Sequence, residues 1–215
     1  MVKKRVFSEA ELAIIEAAVQ KAELRTSGEI VVQVVGASSH YMFSYWFSAF
    51  LGFILGSGIF LLAGQNLFWD AGVRGLLIFQ TVGAAIGSVL PVIPAFRRWL
   101  VWDHWAREVV HRACLEQFAT LGLFETRDRA AVLLYVSLLE RRVEILADRG
   151  IHEKVGTEYW NDEIRLLGKG LNKDLPKAIE TAVLNTGEKL ARYFPRRSDD
   201  RDEISNRVVT ELKED

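Results

Sequence analysis

At 215 residues, with a formal net charge of −1, the chain has room for one folded domain and little more, and it carries no basic field for nucleic acid. A single Cys and four His exclude a disulfide framework and a Cys/His zinc site of the usual spacing. Charged and apolar residues are segregated: no charge occurs from Tyr41 to Trp69, nor from Gly75 to Phe96.

Met1–Arg5 is basic, but the stretch that follows is broken by Glu9, Glu11 and Glu16, so it lacks the apolar run of a secretory leader. Ser8 and Glu11 have the spacing of a capping box, and Leu12, Ile15, Val19 and Ala22 recur at helical intervals. A helix over Ser8–Leu24 is expected, ended by Thr26-Ser27-Gly28. Glu29–Val35 is apolar and β-branched almost throughout, which suits a buried parallel strand. Gly36-Ala37-Ser38-Ser39 leads into the apolar stretch.

That stretch holds two runs, Ser44–Ala63 and Gly75–Ala95, each with the ~20 apolar residues a helix needs to cross a bilayer core. Tyr41, Tyr45 and Trp46 flank the first run, with Phe68 and Trp69 at its far end; Trp99 and Trp102 follow the second. Aromatic rings favour that headgroup level. Two buried core helices are the alternative, but the remaining chain is too short to cover two helices apolar on every side. Gly52-x-x-x-Gly56 and Gly83-x-x-x-Gly87 let backbones approach, either to each other or to another chain; incidental glycine is the plain alternative. Arg97 and Arg98 outweigh Arg74 and Asp70, which puts the turn outside and the flanking segments in the cytoplasm.

Asp103–Leu121 reads as a helix with Trp105, Val109, Cys114, Leu115 and Phe118 on a shared face, ended by Gly122. Cys114 reads as a small core residue. Ala130–Leu138 is a second strand, Leu139-Glu140 a tight corner, and Arg142–Ala147 a third strand. Val143, Ile145 and Ala147 share one of its faces; Arg142, Glu144 and Leu146 share the other, where Glu144 needs an ion pair with Arg142 or a helix residue. Ile151–Leu167 is mostly helical, interrupted near Gly156. Leu175–Phe194 is a longer helix with Ile179, Val183, Leu190 and Phe194 on its buried side, stopped by Pro195. Arg196–Asp215 is a polar tail, disordered or weakly helical.

This order predicts an α/β fold: an αβα sandwich with a small mixed sheet, interrupted by a two-helix transmembrane hairpin. Residues 1–42 and 97–195 are the halves of one split domain, 43–96 the hairpin, and 196–215 the tail. The first two strands are joined by a crossover helix, so they are expected to be parallel.

The soluble part resembles the TPM domain family. The resemblance rests on Phe7-Ser8-Glu9-Ala10-Glu11, on Ser27-Gly28-Glu29-Ile30-Val31-Val32-Gln33-Val34, on Ala131–Ser137, on Arg141–Ile151 and on the helix ending at Phe194-Pro195. It implies an αβα sandwich. The family carries a phosphatase label; some members are thought to bind divalent cations such as calcium, and others serve membrane-protein assembly or photosystem repair. The family pattern before the central strand is acidic-Asn-Gly-Val-Leu-Leu. Here Arg129 and Ala130 stand at the acidic and Asn positions, and Asp128 falls one residue early. That departure removes the residues most suited to metal-assisted phosphate chemistry.

A Leu139-Glu140 corner sets Ala131 opposite Asp148, so Glu29, Asp128 and Asp148 approach one sheet edge. Three carboxylates there would suit Ca²⁺ or Mg²⁺. Arg127, Arg129 and Arg149 are interleaved with them, and plain ion pairing is the competing reading. His40, His104, His111 and His152 are scattered, and no nucleophile elbow or phosphate-cradling Gly-rich loop occurs, so catalytic residues stay unassigned. Two functions remain. One is a membrane-anchored adaptor or assembly and maintenance factor, with the lipid bilayer and another membrane protein or a second copy as partners. The other is a divalent-cation-dependent phosphatase at the membrane surface. Two spans without an intramembrane charge offer no ion path for a transporter.

Overall fold

The computed structural model describes residues 7–64, 72–171, 173–197 and 208–211. The turn with Phe68, Trp69 and Asp70, the first residues Met1–Arg5, and most of Arg196–Asp215 lie outside the described residues. The chain divides into two compact units, one built from Met1–Ser38 with Arg107–Asp215, the other from Ser39–Ala106.

Helix α1 (Glu9–Glu23) opens on the expected capping box: Ser8 Oγ accepts the Glu11 N–H, and Glu11 answers to the Ser8 N–H. Strand β1 (Glu29–Val35) follows. The chain then passes through α2 (Met42–Ile59), α3 (Gly72–Val89), α4 (Pro94–Leu100) and α5 (Asp103–Thr120). Strands β2 (Ala131–Ser137) and β3 (Arg142–Ala147) precede three helices, α6 (Arg149–Val155), α7 (Thr157–Gly170) and α8 (Leu175–Tyr193). Gly156 separates α6 from α7 at φ +80°, a conformation open to glycine and costly for other residues.

The protein is a mixed α/β structure, mostly helical, with a small mixed sheet. β1 and β2 pair in parallel and β2 and β3 antiparallel. The β2–β3 register pairs Val132 with Ala147 and Ser137 with Arg142, so Leu139 and Glu140 form the corner, as expected. Leu138 and Leu139 donate to the Val35 and Gly36 carbonyls, which ties that corner to the exit of β1. One correction concerns the tail. Val209–Glu211 forms a short strand, β4, paired in parallel with Gln33–Val35, so the sheet order is β3-β2-β1-β4. Val208 and Val209 are the apolar pair that makes a strand possible in an otherwise charged segment.

Alternation along β1 and β2 divides the apolar residues between two clusters. Ile30, Val32, Val34, Val132, Leu134 and Val136 belong to one, which takes in Ile15 and Val19 of α1 and Ile179, Val183 and Leu190 of α8. Each such side chain contributes about 1.5–3 kcal/mol on burial. α1 and α8 pack closely, because a Cβ at Gly187 would collide with the Ala22 methyl. The second cluster joins Val31, Val35, Ala131, Leu133 and Tyr135 to Val110, Cys114 and Phe118 of α5. This corrects the expected α5 face. The buried stripe steps by four residues, whereas Leu115 is exposed, and Trp105 meets Tyr41 edge-on at 5.3 Å inside the other unit.

In that unit α2 and α3 pack on each other through their glycines. A Cβ at Gly52 would overlap the Gly83 carbonyl, one at Gly56 the Phe79 carbonyl, and one at Gly87 the Ser48 carbonyl. Gln80 Nε2 donates across the pair to Ser57 Oγ at 3.1 Å. The segments Met42–Leu62 and Gly72–Val92 are long and apolar enough to cross a membrane. Their bounds differ from expectation for local reasons. The second helix stops at Val89, because Pro91 lies in a 3₁₀ turn and Pro94 starts the next helix. The first continues from Ile59 into a π-helical turn at Phe60–Gly64.

Candidate functional site

The sheet has two polar ends. At one, the start of β1, the loop before β2 and the start of α6 converge: Glu29 N–H donates to the Ala130 carbonyl at 3.0 Å and Asp148 N–H to the Ala131 carbonyl at 2.9 Å. A Cβ at Gly150 would collide with the Arg129 carbonyl, so these segments touch through backbone. Glu29 and Asp148 are both buried, and Asp128 is close by in sequence.

The two aspartates have other duties. Asp148 caps α6, accepting the Arg149 N–H at 2.6 Å, and its second oxygen lies 3.9 Å from the Arg129 guanidinium. Asp128 takes the Arg197 guanidinium at 2.6 Å. Among the described residues no group of three or more His, Cys, Asp or Glu side chains is placed to hold a metal ion. The arrangement is one of capping and ion pairing.

The carboxyl end of β1 and β2 holds a second cluster, which sequence reasoning missed. Glu140 is 1% exposed. Its carboxylate accepts the Ser38 N–H at 3.0 Å and the Ser137 hydroxyl. Ser38 Oγ donates to Ser137 Oγ at 2.9 Å and lies 3.2 Å from the Tyr135 hydroxyl. β2 aims Tyr135 and Ser137 toward one face, and the β2–β3 corner folds Glu140 back over it. The position is the one where parallel α/β sheets place ligands, beyond the carboxyl ends of the strands. The only sequence signal was the Ser137-x-x-Glu140 spacing at the corner. Ser38 joins from 102 positions away from Glu140.

Two further groups belong to the α5 side. Glu144 finds a helix residue as its partner: His111 Nδ1 lies 2.9 Å from its carboxylate. Burial first, then the Glu144 charge, push the Cys114 thiol up, so it is protonated and unreactive at neutral pH. Gln33, in the middle of β1, has no exposed surface, and neither its Oε1 nor its Nε2 has a hydrogen-bond partner among the described residues. Such a buried amide costs roughly 1–3 kcal/mol.

Between α7 and α8 runs a groove of about 270 Å³ lined by Leu166, Leu167, Ala178 and Ala182, with Glu163 and Asn185 along it. Burial raises the Glu163 carboxyl, partly countered by the Asn185 side-chain amide at 3.2 Å, while Asp162 adds to the rise.

No protein-family model and no curated protein matches the chain. Among solved structures, the NMR structure of the BA42 protein from the psychrophilic bacterium Bizionia argentinensis is similar, with a TM-score of 0.61 at 18% identity over 98% of this chain and 99% of that one. At that identity the likeness concerns the fold.

Proposed function

We propose that the protein is a membrane-anchored, TPM-like module that serves as an adaptor or as an assembly and maintenance factor for other membrane proteins. The observation that carries this reading is the hairpin. Its small residues face inward and hold α2 against α3, while Phe50, Ile54, Ile78 and Val82 are left exposed along its outside. Apolar surface of that extent needs lipid or another membrane helix to cover it. The soluble domain is read as an αβα sandwich, supported by the two apolar clusters that carry the two faces of the sheet. Arg97 and Arg98 favour the cytoplasm for it.

The competing phosphatase reading needs Glu29, Asp128 and Asp148 to take Ca²⁺ or Mg²⁺. Calorimetric titration of both ions into the protein in detergent micelles separates the two, with Asp148→Asn as control, because Asn keeps the cap on α6 while removing a charge. The enzyme reading fails without saturable binding at millimolar cation, whereas the adaptor reading is indifferent to it. The adaptor reading expects a photo-crosslinker at Phe50 or Ile78 to capture other membrane proteins in native membranes. Saturable binding lost in Asp148→Asn would locate a cation site at the strand edge, and phosphatase activity lost with it would overturn the adaptor reading in favour of the enzyme.

A further inference from the structure

We infer that the outer edge of β1 is a docking site for an extended segment of another polypeptide, one that presents an amide or hydroxyl side chain beside Gln33. The protein's own β4 holds that place when the segment is absent. The register sets Val209 directly beside Gln33, on the same face of the sheet, with Tyr135 on the other flank. Gln33 is fully buried there with both amide atoms unanswered. A valine has nothing to offer them, whereas Asn, Gln, Ser or Thr in that register brings a donor or an acceptor.

Val208, just ahead of Val209, packs against the opposite cluster, which defines the other half of the pattern. The segment that fits best is therefore extended and parallel to β1, with an apolar residue followed by an amide-bearing one. Main-chain hydrogen bonds to an exposed edge supply the affinity of such pairing, and alternate side chains supply the choice. The inference names a kind of partner for the adaptor reading, yet stands on the sheet edge alone: peptide binding in micelles is read without any membrane client.

The test uses the full chain in micelles, with Val209→Pro to keep its own tail from pairing. Two labelled peptides are compared, one copying residues 204–211 and one with the V209N change. Fluorescence anisotropy should show the V209N peptide binding about tenfold more tightly, the worth of one satisfied hydrogen bond. Gln33→Leu in the chain should erase that preference. Equal affinities, no binding of either peptide, or a preference that survives Gln33→Leu would overturn the inference. A second readout needs no opened edge. Val209→Asn in the otherwise intact chain should slow amide exchange along β1, and faster exchange counts against the proposal.

Discussion

Glu140 joins three segments: the exit of β1, the end of β2 and the corner into β3. Removing its carboxylate leaves the Ser38 N–H and the Ser137 hydroxyl facing each other without their acceptor. Glu140→Ala should cost about 3 kcal/mol, seen as a lower thermal midpoint in micelles. Glu140→Gln keeps one acceptor oxygen and should lose less. Glu163 behaves in the opposite sense. Its carboxyl is raised in the folded protein, so the folded state holds a proton that the unfolded state releases. Its contribution to stability is complete below the ordinary carboxylate range and is lost as pH rises through the folded-state value. Glu163→Gln should therefore raise the midpoint at pH 7, and the gain should shrink toward zero at pH 4. A gain independent of pH would assign the effect to packing alone.

At the scale of elements, the hairpin rests on backbone contact. Gly83→Val should force α2 and α3 apart, which fewer disulfides between cysteine pairs placed across the two helices would report; Gly58→Ala, with nothing nearby, should leave them unchanged. How far elements were legible depended on how local their causes are. The limits of β1 and β3 and the β2–β3 register could be read because β-branched runs and a two-residue corner are local signals. The α5 face could not: Trp105 and Leu115 are as apolar as Phe118, and only the sheet decides which stripe is covered. β4 was hidden because three residues carry no periodicity, and its pairing is set by β1, far away in sequence. The cluster at Ser38 and Glu140 was hidden for the same reason. Glu29 and Asp148 were placed at one edge correctly, but their bonding partners depended on side-chain geometry that spacing does not determine.

The whole molecule is one compact unit split in sequence by another. On the proposed reading both apolar helices cross, and an even number of crossings returns the chain to the side it left. Terminal tags at both ends should therefore be cut by protease from the cytoplasmic face of vesicles and protected from the other. Opposite protection of the two tags would mean that only one of the helices crosses.

Residue Glu29 pairs with Ala131, so the two central strands are separated by 131 − 29 = 102 positions. Everything from Ser39 to Ala106 is synthesised between them. A ribosome that has released β1 and the hairpin has not yet made the strand that β1 must pair with, and closing so long a gap is slow. β1 waits as an unpaired, mostly apolar strand while the hairpin settles. A nascent chain halted near position 125 should therefore expose β1 to protease, and one halted after Pro195 should protect it. The hairpin divides the domain in time as well as in sequence: its own assembly comes first, and the sheet is completed last.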